Sequence, residues 1–133
     1  MDQQLLGLST IMERLSRARV KDCFKFDETI YFVVATGDMG KAVGKGGATI
    51  KRIQQELGKK IRVIEFQEDL TNFVRKVIYP LAVEEIVEED GVVLIKDKNK
   101  KTKSLLIGRD GKNLNLVNRA IKRFFDIKEV KVI

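Results

Sequence analysis

Histidine and tryptophan are absent from this 133-residue chain, and cysteine and proline occur once each, as Cys23 and Pro80. One thiol cannot close an internal disulfide, and with no histidine there is no Cys/His set to hold zinc. The same lack removes the base that activates a serine or cysteine nucleophile in the common hydrolase arrangement. Enzymatic activity is therefore not expected, and neither is a metal or other cofactor. Long apolar runs are also missing. The longest, residues 30–35, is far short of the roughly 20 residues that span a bilayer, so no membrane association is expected. Met1-Asp2-Gln3-Gln4 has neither the basic nor the apolar region of a secretory signal. With the single cysteine, this gives the expectation of a cytoplasmic protein.

What the chain has in excess is positive charge. Its 26 lysines and arginines outnumber its 19 acids, for a net charge of +7. Such a balance fits a polyanionic partner, although a Lys/Glu-rich surface of thermophilic type produces it too.

The chain's most informative stretch is Val43-Gly44-Lys45-Gly46-Gly47-Ala48-Thr49-Ile50. Two glycines three residues apart bracket a Lys-Gly pair, and an amphipathic helical pattern (Ile50, Ile53, Leu57) begins directly after them. Without a Cβ, such a loop admits another backbone unusually closely. The following helix offers N–H groups and the positive end of its dipole. Ile107-Gly108-Arg109-Asp110-Gly111-Lys112-Asn113-Leu114 repeats the arrangement. Other phosphate-binding loops do not fit. A Walker loop needs four residues between its first glycine and Gly-Lys-Ser/Thr, and a dinucleotide fingerprint starting at Gly44 would need glycine where Thr49 stands.

The repeat extends beyond the loops. Leu8, Ile11, Met12 and Leu15 lie over Leu70, Phe73, Val74 and Val77; Asp27-Glu28 lies over Glu89-Asp90; and Ile61, Ile64 and Phe66 lie over Ile127, Val130 and Val132. Each copy reads as helix, strand, strand, helical turn, helix, strand. In the first copy the strands fall at 20–26, 29–36 and 59–66 around a turn at Asp27-Glu28, and a helix over 48–57 is closed by Gly58. In the second, Asp69 or Thr71 caps a helix that Pro80 stops. Strands follow at 82–88 and 91–97, then a lysine-rich loop at 98–101, a segment 102–107, a helix at 112–125 and a strand at 127–132. Gln67-Glu68-Asp69 is too short for a flexible linker, so a fixed orientation of the copies and one continuous binding face are expected.

The Gly-x-x-Gly loop before a helix resembles the signature of the KH domain, an RNA-binding module. The order of elements is similar to the prokaryotic, type II, form of that fold. The resemblance covers essentially the whole chain and implies an α+β protein of two tandem type II KH domains, 1–66 and 67–133, each with a three-stranded sheet. A pair of this size, with residues 43–66 as written, resembles the archaeal NusA-like family, whose members lack the polymerase-binding and S1 domains of bacterial relatives. That implies single-stranded RNA binding in transcription elongation, termination or antitermination, with RNA polymerase as a possible second partner and no small-molecule substrate. A ribosome-associated or ribosome-assembly factor and a protein–protein scaffold with degenerate KH domains stay open as alternatives.

The RNA-binding residues expected on this reading are Gly44, Lys45, Gly46 and Gly47, with Lys41, Ile50, Lys51 and Arg52 around them. In the second copy they are Gly108, Arg109, Asp110 and Gly111, with Lys103, Lys112 and Leu114. Asp110 would repel phosphate; it could accept hydrogen bonds from base edges or cap the helix that begins near Lys112. Ile53, Leu57, Val117 and Ile121 are expected in the core, and Phe124-Phe125 against the sheet. Glu84, Glu85, Glu88, Glu89 and Asp90 read as a hairpin edge rather than a metal site, because their side chains alternate across a strand.

Overall fold

The computed structural model describes residues 3–133. They form two compact units, the first ending at Gln67 and the second spanning Glu68–Ile133. The first contains α1 (Gln3–Ser16), β1 (Val20–Phe26), β2 (Thr29–Val34), α2 (Met39–Val43), a 3-10 turn at Lys45–Gly47, α3 (Ala48–Leu57) and β3 (Lys60–Glu65). The second repeats that order with α4 (Leu70–Ile78), β4 (Glu85–Glu89), β5 (Val92–Lys96), α5 (Lys100–Ile107), a 3-10 turn at Arg109–Gly111, α6 (Lys112–Lys122) and β6 (Glu129–Val132).

Each unit is a mixed α+β body with one three-stranded sheet, and the middle strand of each sheet is the second in sequence. β2 pairs antiparallel with β1 and parallel with β3; β5 pairs likewise with β4 and β6. The parallel pairing requires a crossover, and the two helices around the glycine loop supply it. The loop therefore lies inside the crossover connection. In the first unit Ile30, Phe32 and Val34 of the central strand pack with Cys23, Met12, Ala42 and Ile53. In the second, Val93, Ile95, Leu106, Val117, Ile121 and Val130 are buried. Leu57 is half-buried against the first core. The side chain of Asn118 fastens α6 to β6, accepting from Val130 N–H (2.8 Å) and donating to Val130 C=O (3.1 Å).

Several expected boundaries move, each for a local reason. β4 starts at Glu85, three residues later than the hydrophobic pattern suggests, because the Asp97 carboxylate takes the Glu84 N–H at 3.2 Å and ends the approach from Pro80 outside the ladder. The lysine-rich stretch is only half a loop. Asn99 accepts from Thr102 N–H at 3.0 Å and caps a helix whose first turn contains Lys100 and Lys101. Asp69 does the same for α4 through Asn72 N–H. α6 ends at Lys122 rather than Phe125. Phe124 and Phe125 lie against Phe73 of α4, at centroid distances of 5.4 and 5.9 Å. Cys23 is fully buried.

Both hairpins close through two residues with positive φ, as a type I′ turn demands. The second uses Asp90 (φ 51°) and Gly91 (φ 80°), whereas the first forces Asp27 (φ 47°) and Glu28 (φ 67°) into the same shape. A non-glycine residue there costs about 1 kcal/mol. The exposed Lys25–Glu28 ion pair, at 3.7 Å, returns a few tenths of that at most. Glu28→Gly is therefore expected to stabilise the first unit by roughly 0.5–1 kcal/mol, measured as a raised calorimetric melting temperature. A lowered one would mean that the ion pair outweighs the strain.

Candidate nucleic-acid interface

The two glycine loops have the same backbone, residue for residue. Gly44 (φ 76°, ψ 170°) matches Gly108 (75°, 173°), and Gly46 (61°, 20°) matches Asp110 (57°, 26°). Gly47 (78°, 11°) matches Gly111 (75°, 12°). Each loop is closed by the same bonds. Gly44 N–H donates to Gly40 C=O (2.8 Å) and Gly47 N–H to Gly44 C=O (3.1 Å); their equivalents run from Gly108 to Ser104 (2.8 Å) and from Gly111 to Gly108 (3.2 Å). Ala48 and Lys112 N–H donate back to Lys45 and Arg109. Part of the helix-start N–H set expected to face a ligand is thus used inside the loop.

The first glycine of each loop is required twice over. Its φ and ψ lie in a region that is essentially glycine-only. A Cβ on Gly44 would also stand 2.7 Å from Thr49 Cβ and 2.8 Å from Thr49 N, and one on Gly108 would stand 2.7 Å from Asn113 Cγ and 2.9 Å from Asn113 N. Asn113 additionally donates to Leu105 C=O at 2.8 Å, tying the end of α5 to the start of α6. Thr49 and Asn113 carry no obvious functional signature in the sequence, yet they are the groups against which the loops close. Gly46 has open space around its missing Cβ, and the second loop places a side chain at that point. Asp110 does not cap α6: the N-cap is Gly111, with no side-chain hydrogen bond.

Around the first loop, Lys41, Lys45, Lys51 and Arg52 are all exposed and Ile50 is half-buried. Around the second, Arg109, Asp110 and Lys112 are exposed, Leu114 is half-buried, and Lys103 is half-buried on α5 well ahead of the loop. The exposed side of α5 instead presents Lys100, Lys101, Ser104 and Leu105.

A buried carboxylate supports the first loop from behind. Asp38, immediately before α2, accepts from Arg19 N–H at 2.8 Å and from Arg19 Nε at 3.1 Å, with Lys41 Nζ at 3.8 Å from its other oxygen. The Arg19 backbone N–H and then its guanidinium hold the Asp38 carboxyl below its ordinary value of 3.8, outweighing the opposing effect of burial. The clamp joins the start of β1 to the helix that leads into the loop. In the second unit Asp97 binds Glu84 N–H ahead of β4.

Against known proteins, the KH domain family model matches residues 9–96. The match runs from α1 through the first glycine loop and into the second unit as far as β5; the second loop lies beyond it. Since it spans about two thirds of the sequence, the chain belongs to the KH domain family. Within that family it is similar to the "Probable transcription termination protein NusA" of Methanocaldococcus jannaschii, at 34% identity over 91% of this chain and 68% of the relative. It is likewise similar to the protein of the same name from Methanococcus vannielii, at 34% over 93% of this chain and 73% of the relative. The crystal structure of APE1850 superposes with a TM-score of 0.82 at 25% identity, covering 100% of both chains. No helix among the described residues is long and apolar enough to cross a membrane.

Gly44→Ala and Gly108→Ala are each expected to destabilise by about 3 kcal/mol or more, and Gly46→Ala by only about 1, measured by denaturant unfolding. Equal costs at the three positions would refute the close approach. Asp38→Asn is expected to lower the melting temperature at neutral pH. Because the folded-state pKa is depressed, the carboxylate's contribution is present above 3.8 and lost as pH falls through the lower folded value. The gap between parent and variant therefore closes below 3.8, and a gap independent of pH would show that charge is not involved.

Proposed function

We propose that the chain is a single-stranded RNA-binding protein built of two tandem type II KH domains, 1–66 and 67–133, and that it binds nascent RNA during transcription elongation or termination, in association with RNA polymerase. The observation that carries this reading is the pair of loops with matching dihedrals, each between two helices of a crossover and each bearing exposed cations. The repeated element order supports treating the second unit as a KH domain too. The names of the archaeal relatives support the link to termination. The role is binding rather than catalysis, in the cytoplasm.

On this reading Gly44, Gly46 and Gly47 let a sugar-phosphate backbone approach, Lys41, Lys45, Lys51 and Arg52 neutralise its charge, and Ile50 borders the groove. Gly108, Arg109, Asp110, Gly111, Lys112 and Leu114 form the second site, with Lys103 behind it. The first loop dominates affinity, because no acid lies between its glycines.

The decisive variant is Lys45→Asp with Gly46→Asp. It places two negative charges where phosphates pass, and the second loop already holds an aspartate in the conformation required of residue 46, so the fold accommodates it. RNA titration is expected to show at least a ten-fold loss for this variant and a smaller one for Arg109→Asp, with melting temperatures little changed. A folded variant that binds like the parent would make the first loop only a turn. The parent should prefer single strands of eight nucleotides over four, since each KH unit covers about four, and should lose affinity with salt at a log–log slope of about −0.7 per phosphate. Equal affinity for a perfect duplex would count against the reading. Co-purification with ribosomal particles instead of RNA polymerase would redirect the role to ribosome assembly.

A further inference from the structure

The two loops share a backbone but not a chemistry, and the differences fall at equivalent positions. Three residues before the first glycine, the first unit has exposed Lys41 and the second has Leu105, which is 47% exposed. One residue before it, half-buried Val43 is answered by Ile107, which is 38% exposed. At the left-handed position inside the loop, Gly46 is answered by Asp110. Among the described residues no hydrogen bond or ion pair engages the Asp110 side chain. The second unit also lacks counterparts of Lys51 and Arg52; the equivalent positions are Asn115 and Leu116.

An exposed leucine and isoleucine on the helix that enters a loop with an exposed carboxylate form a poor seat for phosphate and a good one for a nucleobase. The apolar side chains can cover the face of an unstacked base, while the carboxylate, an acceptor only, meets an amino group on its edge. Cytosine, adenine and guanine present such an amino group; the one donor on uracil's edge, N3–H, is flanked by the O4 and O2 acceptors, which a carboxylate repels. The Asn113–Leu105 bond fixes the end of α5 to the start of α6, so the two parts of this seat keep their places without RNA.

We infer that the units divide the labour: the first grips the RNA backbone, and the second selects the base through Asp110 and Leu105, favouring an amino-bearing base over uracil. The inference rests on the RNA-binding reading above and adds base selection to it.

Eight-nucleotide oligomers of cytidine, adenosine and uridine, titrated into the full chain at several salt concentrations, test it. The parent is expected to bind the cytidine and adenosine oligomers roughly five-fold or more tighter than the uridine one, the low end of what one good base contact discriminates. Asp110→Gly keeps the loop backbone, as the first unit demonstrates. It should bind all three oligomers about equally, with uridine gaining most. Leu105→Lys restores the residue found at 41 and should steepen the salt slope by about 0.7, one added phosphate, while narrowing the preference. If the parent binds all three equally with a negative salt slope, or if Asp110→Gly keeps the parent's preference, base selection by the second loop is wrong and the RNA-binding reading stands. If the parent shows no salt-dependent binding to any oligomer, both fall.

Discussion

The near-contact between a loop glycine and the second residue of the following helix is the constraint on which the rest depends. Gly44 against Thr49, and Gly108 against Asn113, bring two backbone segments closer than any Cβ allows. That approach turns the chain between two helices in four residues, and so lets the crossover return to the sheet parallel to its central strand. Sheet order, crossover and an outward-facing loop follow from one missing side chain in each unit. The clamps behind the loop, Asp38 on Arg19 and Asp97 on Glu84, are polar bonds to backbone. They fix where the first strand of each unit begins relative to the helix that enters the turn.

Much of this was legible in the sequence, because the determining signals are local. Glycines at fixed spacing, the Asp27-Glu28 turn and β-rich runs around it need no tertiary knowledge, whereas the second turn falls one residue later than the repeat suggests, at Asp90-Gly91. α3 and its left-handed cap at Gly58 occur as its pattern and terminal glycine require. What could not be read were choices made by side chains distant in sequence. The start of β4 depends on Asp97, thirteen residues away, and the start of α5 on Asn99 competing with a run of lysines whose charge suggested a loop. The exposure of Leu105 and Ile107 was hidden for a related reason. An apolar residue in a helix of helical period reads as core, and only the packing of Leu106 on the same helix shows which side faces inward.

The acid in the second loop shows how a local rule can suggest the wrong role. An aspartate two residues before a helix is a good capping candidate by sequence, but the cap position falls to Gly111. Asp110 sits at a positive φ that aspartate tolerates better than most residues. Its carboxylate is left outward, and its backbone does the work that glycine does in the first unit.

That positive φ also restricts what substitution can achieve over evolutionary time. The first position of the loop is held to glycine by its φ and ψ and by the close approach of the following helix, and the third favours glycine, asparagine, aspartate or histidine. Lysine and arginine adopt that conformation only at a strain of about 1–2 kcal/mol, as Arg17 does at φ 63° elsewhere in the chain, so the third position loses positive charge more readily than it supplies it. An increase in cationic character enters at least cost at the second position, where Lys45 and Arg109 stand. A lineage adapting such a pair to a new RNA thus has one position that sets attraction freely and another that more easily moderates it, and two copies of the loop in which to set them differently.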